Sequence, residues 1–461
     1  MYQSKRHRRP VRTDAHSGSR RDFLRRHEAA ARAAAAGSEV ERAAFFDTLF
    51  DIVTDTRMLF LAAEDLRRAG GPAPGVDGIS PADLDKVDLV ALVPKLRQRI
   101  RDRSYRPARE RKVEKSKGPG RGKRTLSLAV FADRVVQRAI LMSVQGFIDP
   151  QLMPTTFGGR PGFSTADAFI AAERAAAATG SWVWVVADVR KAFDEIPHGR
   201  LNGTIRRWFG DTRVADSITS LMTAGRTVGV PQGGALSMLL LNLFLHDHLD
   251  RPFAEAHPEW TLIRWVDDLI IITNIPEEAN DAHAYVKDLL QKAGTKLKDT
   301  TKVVDLAGGE SAEWLGVQIG RCGNELCFTI STGAWDDLRE KLTQTHKEDR
   351  PTRHARDIIR GWIAAHGVVM PTREQVDELI NALKECELED TASFDEITTW
   401  WGRRINGTNG GGPGAATTDR GWHPSRTMGK QTSRRLRPSE HFWQIPCRTP
   451  RRMRPIRAHT S

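Results

Sequence analysis

The chain has 461 residues, a formal net charge of +12 and only 4 cysteines. That length predicts two or three compact units, and basic residues gathered into arginine clusters point to a polyanionic partner. Cys322 and Cys327 are the one close cysteine pair, which excludes a disulfide framework and a zinc site. The basic N-terminus lacks a signal-peptide apolar core, and the longest apolar run, Met238 to Leu245, is too short to cross a bilayer. The expectation is a cytoplasmic protein with no membrane partner.

Residues 1–40 begin with Lys5, Arg6, Arg8, Arg9, Arg12, Arg20, Arg21, Arg25 and Arg26 and pass into an alanine-rich, helix-compatible stretch, together read as a basic arm. Residues 41–175 mix helical periodicity with a basic, glycine-containing segment from Lys112 to Arg124, which predicts two strands around a flexible turn. Within 176–322 the apolar run Trp182 to Ala187 predicts a buried strand that delivers Asp188 at its end. Leu262 to Ile272 contains two β-forming runs interrupted by Asp267-Asp268, which places that acidic pair in a hairpin turn. Between them, residues 236–250 read as an amphipathic helix after a Gly/Pro loop. Residues 323–405 read as helical, in segments Trp335–Leu342, Ala355–Ala365 and Arg373–Leu388. Residues 406–461 are glycine-rich and then arginine-rich without periodicity, the composition of a disordered basic tail. The fold class is α+β.

One aspartate at a strand end and an adjacent pair in a neighbouring hairpin suit a particular chemistry, provided the two strands pair. Joining a 3′-hydroxyl to a nucleotide α-phosphate requires deprotonation of the hydroxyl, stabilisation of a pentavalent centre and neutralisation of pyrophosphate. Two divalent ions a few ångströms apart accomplish all three, and magnesium prefers carboxylate oxygen. An acidic pair alone is more commonly a solvated surface turn, so the surrounding segments decide the reading.

Six segments occur in order: Gly75-Val76-Asp77-Gly78; Lys123-Arg124-Thr125-Leu126 through Asp133-Arg134 to Ala139; Phe157-Gly158-Gly159-Arg160-Pro161-Gly162-Phe163-Ser164; Asp188-Val189-Arg190-Lys191-Ala192-Phe193-Asp194; Gly229-Val230-Pro231-Gln232-Gly233-Gly234; and Trp265-Val266-Asp267-Asp268. Lys302 and Trp314-Leu315-Gly316 follow. From Gly75 to Ile405 the series resembles the bacterial reverse transcriptases of group II introns and their retron, maturase and defence-associated relatives. The resemblance implies a right-hand polymerase with fingers (41–175), an antiparallel palm (176–322) and a helical thumb (323–405). It implies two Mg²⁺ ions, or Mn²⁺ in their place, on Asp188, Asp267 and Asp268 with the Val189 carbonyl. Lys115, Arg124, Phe193, Gln232 and Lys302 are the implied nucleotide contacts, Phe193 excluding a ribose 2′-hydroxyl and Lys302 protonating pyrophosphate. Arg160, Gly162, Ser164, Trp265, Leu315 and Gly316 are the implied template and primer contacts. The implied partners are an RNA template, a DNA or RNA primer, deoxynucleotides and a cognate non-coding RNA.

Two departures stand out. Trp265 replaces the family's usual tyrosine, and Thr-Leu-Ser-Leu-Ala follows Arg124 where a Pro-Leu-Gly-Ile-Pro run is usual. Beyond Ile405 there is neither a Cys-x-x-C pair nor a His-Asn-His pattern, so the implied enzyme lacks its own endonuclease and serves a small retroelement or an antiviral defence system. Two other functions fit the same residues: an RNA-dependent RNA polymerase, against which Phe193 argues, and a maturase or RNA-binding protein whose polymerase activity is secondary.

Overall fold

The structure is a computed structural model that describes residues 14–69, 71, 73–116, 122–210, 212–323, 325–366 and 373–407. The chain opens with helices α1 (Asp14–Ala36), α2 (Glu39–Val53), α3 (Thr56–Ala69) and α4 (Lys86–Arg101). The hairpin β1 (Arg111–Ser116) and β2 (Lys123–Leu128) follows, then α5 (Phe131–Ile148) and α6 (Thr165–Thr179). Next come β3 (Val183–Asp188), α7 (His198–Phe209), α8 (Thr212–Thr223), α9 (Ala235–Leu245), α10 (Arg251–Ala256), β4 (Thr261–Trp265), β5 (Asp268–Thr273), α11 (Pro276–Ala293) and β6 (Lys302–Asp305). The last elements are β7 (Ala312–Trp314), β8 (Val317–Cys322), β9 (Glu325–Ile330), α12 (Thr332–Gln344), α13 (Pro351–His366), α14 (Arg373–Glu385) and α15 (Phe394–Gly407). The architecture is α+β, with a four-stranded antiparallel sheet in the order β4-β5-β3-β6, a three-stranded sheet β7-β8-β9 and the separate β1–β2 hairpin.

Strand periodicity explains why the central sheet reads as unbroken apolar sequence. Successive residues point to opposite faces, and both faces are covered. Val183, Val185 and Ala187 of β3, with Leu269 and Ile271 of β5, join the core that also holds α5, α9 and α11. Trp184 of β3, with Ile263, Ile270 and Ile272, joins a second core formed with α6, the small sheet and helices α12–α15. A rigid, doubly buried sheet therefore carries the strand ends at which the acidic residues stand. No helix among the described residues is long and apolar enough to cross a membrane.

The structure corrects several sequence expectations. α9 is not amphipathic: apart from the half-buried Ala235 and Met238 all its residues are buried, because it lies between α5, α7 and the sheet side of the core. It runs on through a turn of π-helix, His246–Asp250, into α10. The region after 323 starts with a strand, since Glu325–Ile330 completes the small sheet by pairing with β8 before any helix begins. That pairing brings Cys322 and Cys327 onto facing strands with Cα atoms 5.7 Å apart, and they form a disulfide. Part of the expected basic arm is a packed helix: Ala31, Ala34 and Ala35 of α1 are buried, and the Arg20 guanidinium lies 3.8 Å from the Phe60 ring centroid. Residues 1–13 of that arm, the tip of the β1–β2 hairpin and the tail beyond 407 lie outside the described residues.

Candidate functional site

Asp188 is the last residue of β3, and its Cα partner across the sheet is Asp268, the first residue of β5. Trp265 pairs with Asp268 in turn, so Val266 and Asp267 form a two-residue hairpin loop. The Val189 N–H donates to the Asp267 carbonyl at 2.9 Å, tying the end of β3 to that loop. Three carboxylates from segments far apart in sequence thus meet at one edge of the sheet. Val266 has φ +59°, unusual for a β-branched residue, in a type of tight hairpin that ordinarily takes glycine or asparagine.

The electrostatics are those of crowded negative charge. Burial pushes the Asp268 carboxyl well above the usual carboxylate range, and the charges of Asp267 and Asp188 push it further. Asp267 is raised by burial and by Asp188. One Asp188 oxygen, Oδ2, accepts from Lys298 Nζ, while Oδ1 is buried with no donor on it. Among the described residues no three His, Cys, Asp or Glu side chains are drawn up as a finished metal cage. The donor set nevertheless fits a hard divalent cation: three carboxylates, one with an unpartnered buried oxygen and two made reluctant to ionise by burial and by neighbouring carboxylates.

Lys298 was not among the expected residues. The local signal is the alternation Thr295-Lys296-Leu297-Lys298, in which Leu297 is buried opposite Val189 and Lys298 donates its backbone N–H to the Asp188 carbonyl at 2.8 Å. Lys302 is further back along the sheet, exposed on β6 and paired with Val186.

Two of the expected nucleotide contacts, Phe193 and Gln232, lie in segments that are hydrogen-bonded together. Phe193 is half-buried in the turn after β3, and its carbonyl accepts from the Val230 N–H at 2.7 Å. Gln232 Nε2 donates to Asp194 Oδ2 at 3.0 Å, and the Gln232 carbonyl accepts from the Ser127 N–H at 2.8 Å. The turn 190–196, the loop 229–232 and β2 are therefore stitched together. A Cβ on Gly229, at φ +76°, would collide with the Asp194 carbonyl, so only glycine permits this approach. Lys115 and Arg124 are exposed, directly paired across the β1–β2 hairpin.

The expected template and primer contacts are placed differently. Trp265 is half-buried at the end of β4 opposite Asp268. Gly162, at φ +81°, has open space around it. Arg160 braces the turn before α6: its guanidinium donates to Asp149 Oδ1 at 2.8 Å and to the carbonyls of Met153, Thr156 and Asp149, and the side chain is only 7% exposed. Ser164 stands at the N-terminus of α6, where its backbone N–H and its hydroxyl both donate to Asp167 Oδ2, at 2.7 and 2.8 Å. Leu315 and Gly316 form the β7–β8 turn, with the Gly316 carbonyl accepting from the Ser331 N–H at 3.0 Å.

Comparison with known proteins agrees with this arrangement. Residues 113–319 match the family described as reverse transcriptase (RNA-dependent DNA polymerase). Protein YkfC of Escherichia coli strain K12 is 29% identical over 213 residues, covering 43% of this chain and 55% of that protein. The group II intron-encoded protein LtrA of Lactococcus lactis subsp. cremoris is 29% identical over 164 residues, 34% of this chain and 27% of LtrA. The chain thus spans about half the length of the first of these relatives and about a quarter of the second. A structure of apo telomerase from Candida tropicalis aligns with a TM-score of 0.39 at 11% identity, over 64% of this chain and 68% of that one, too slight a likeness to argue from. Residues 113–319, which contain all three carboxylates, match the reverse-transcriptase family and are similar to part of the group II intron-encoded protein LtrA.

Proposed function

We propose that the chain is an RNA-directed DNA polymerase that extends a primer 3′-hydroxyl with deoxynucleotides on an RNA template. The observation that carries this reading is the cross-strand pairing of Asp188 with Asp268, with Asp267 on the adjoining turn, inside the matched domain. Two divalent ions, when bound, would supply the charge that activates the hydroxyl and neutralises pyrophosphate, and Asp188, Asp267 and Asp268 would hold them, with the Val189 carbonyl at hand. Residues 41–175 would act as fingers, 176–322 as palm and 323–405 as thumb. Phe193 would stand under the incoming sugar, leaving no room for a 2′-hydroxyl. Arg124 and Lys115 would reach the triphosphate from the hairpin, the guanidinium by a bidentate contact and the ammonium as a point charge. Lys302, and more directly Lys298, would present an ammonium to the phosphates. The intron-encoded relatives support service to a retroelement over a role in antiviral defence.

A second reading, RNA binding by residues 323–405, is favoured by Arg356 and Arg360, whose guanidiniums both lie within 5 Å of the half-buried Trp400 ring centroid, at 4.9 and 4.6 Å. Primer extension decides between them. Purified protein with a primed RNA, magnesium and deoxynucleotides should make complementary DNA, and a folded Asp188→Asn protein should not. RNA binding without DNA synthesis by the wild type would leave only the second reading.

A further inference from the structure

Arg264 lies on β4, three residues before Asp267, and is 0% exposed. Its Nε and Nη2 donate to the two oxygens of Asp250, the first at 2.8 Å. Its Nη1 donates to Asn242 Oδ1 at 2.9 Å and to the Val266 carbonyl at 2.6 Å. Asn242 Nδ2 donates to the Gly158 carbonyl at 2.8 Å, and Thr156 Oγ1 to Asp250 Oδ2 at 3.0 Å. The strand is pinned from the other side too, by Arg264 N–H to the Thr155 carbonyl at 3.0 Å and Phe157 N–H to the Arg264 carbonyl at 2.9 Å. Gly158 presses against the turn so closely that a Cβ there would sit 2.5 Å from the Val266 nitrogen.

Such a buried pair is weak evidence for stability, because apolar residues of similar volume commonly serve as well. Its geometry points elsewhere. Every polar arm of the lattice ends on the carboxylate turn or on the segment touching it. Asp250 reaches Arg264 from the π-helical turn His246–Asp250, an irregularity that occurs often at functional sites. Val266 is held by its own carbonyl in a conformation that its β-branched side chain disfavours.

We propose that Arg264, Asp250 and Asn242 are positioning residues, a buried ionic lattice that clamps Val266 in its left-handed conformation and so sets where Asp267 and Asp268 stand. This deepens the polymerase reading and rests on it. Groups that orient metal-holding carboxylates without touching the metal typically cost about 10–100-fold in metal affinity or activity when lost.

The experiment uses the full chain carrying Asn242→Leu, of similar volume, and Thr156→Val, which deletes one hydroxyl. Folding is checked by circular dichroism, Mn²⁺ affinity by calorimetry without nucleic acid, and kcat and KM by extension of a primed RNA. For Asn242→Leu the expected result is about a 10–100-fold fall in kcat and a matching loss of Mn²⁺ affinity, with KM for primer-template unchanged. Thr156→Val should show a smaller loss of the same kind. A residue that only supports the fold would not give that split. A folded Asn242→Leu protein with wild-type kcat and Mn²⁺ affinity overturns the inference. Should Asn242→Leu fail to fold, wild-type values in Thr156→Val do so instead. Wild-type protein that neither binds Mn²⁺ nor makes DNA overturns the polymerase reading itself, and so is distinguishable.

Discussion

The β4–β5 and β7–β8 hairpins close alike, each through a two-residue turn whose first residue is a non-glycine at positive φ, Val266 at +59° and Leu315 at +52°. They reach that conformation by different means. In β7–β8 the second residue is Gly316 at φ +76°, so the turn has the paired left-handed form that matches strand twist. In β4–β5 the second residue is Asp267, no glycine relieves the turn, and Arg264 grips the Val266 carbonyl from the core. A local residue makes one turn, and a distant buried network imposes the other. The imposed turn is the one that carries the carboxylates, consistent with strain being held where function resides.

The largest difference between the two hairpins should lie in the side chains they present. If Asp267 holds metal as proposed, Asp267→Asn should lower single-turnover extension on primed RNA by on the order of a thousandfold, through loss of that charge. An Asp267→Asn enzyme that is folded and fully active would remove the β4–β5 turn from the chemistry.

The glycines beneath and within the turns supply the next contrast. Gly158→Ala must push the Val266 backbone away, and a displacement of about 1 Å in a reacting constellation can cost about a hundredfold, so kcat should fall by about 10–100-fold. Gly316→Ala places a Cβ 2.8 Å from His366 Nε2 at φ +76°. It should lower unfolding free energy by about 1–2 kcal/mol in urea and lower kcat less than Gly158→Ala does. Equal effects of the two alanines on kcat would erase the distinction drawn between the hairpins.

Phe193 stands in the turn stitched to the carboxylate edge. Phe193→Val should lower the ratio of kcat/KM for deoxynucleotides over ribonucleotides by about tenfold, discrimination being a difference in transition-state binding. An unchanged ratio would assign sugar selection to another residue. The smallest effect belongs to Lys298. Its ion pair with Asp188 is part-exposed, with side chains 45% and 21% accessible, and such pairs are worth about 0–1 kcal/mol. Lys298→Met should therefore lower the Mg²⁺ concentration for half-maximal synthesis by no more than about fivefold, measured by magnesium titration.

Local sequence determined a good deal here. Six consecutive residues from Trp182 to Ala187 are β-formers or small apolar residues, and a strand follows from them wherever the rest of the chain lies. The acidic pair between two apolar runs dictates a hairpin, and Lys112 to Arg124 dictates another, for the same reason: turn chemistry and two-residue alternation act over a few residues. The ordered motifs likewise marked a reverse-transcriptase domain before any strand was paired. Tertiary structure decided what depends on partners distant in the chain. Only the β3–β5 register puts Asp188 opposite Asp268, and only packing against α5 and α7 buries nearly every residue of α9, whose sequence was read as amphipathic. β9, with no preference strong enough to declare itself, became a strand because β8 offered an edge, and that pairing brought Cys322 to Cys327. Arg160 and Arg264 show the limit most clearly. In sequence both are basic residues within or beside the ordered motifs, yet packing withdraws both guanidiniums from solvent onto Asp149 and Asp250. A charge can be stripped of water only where its partner is already waiting, and that meeting is arranged by the fold.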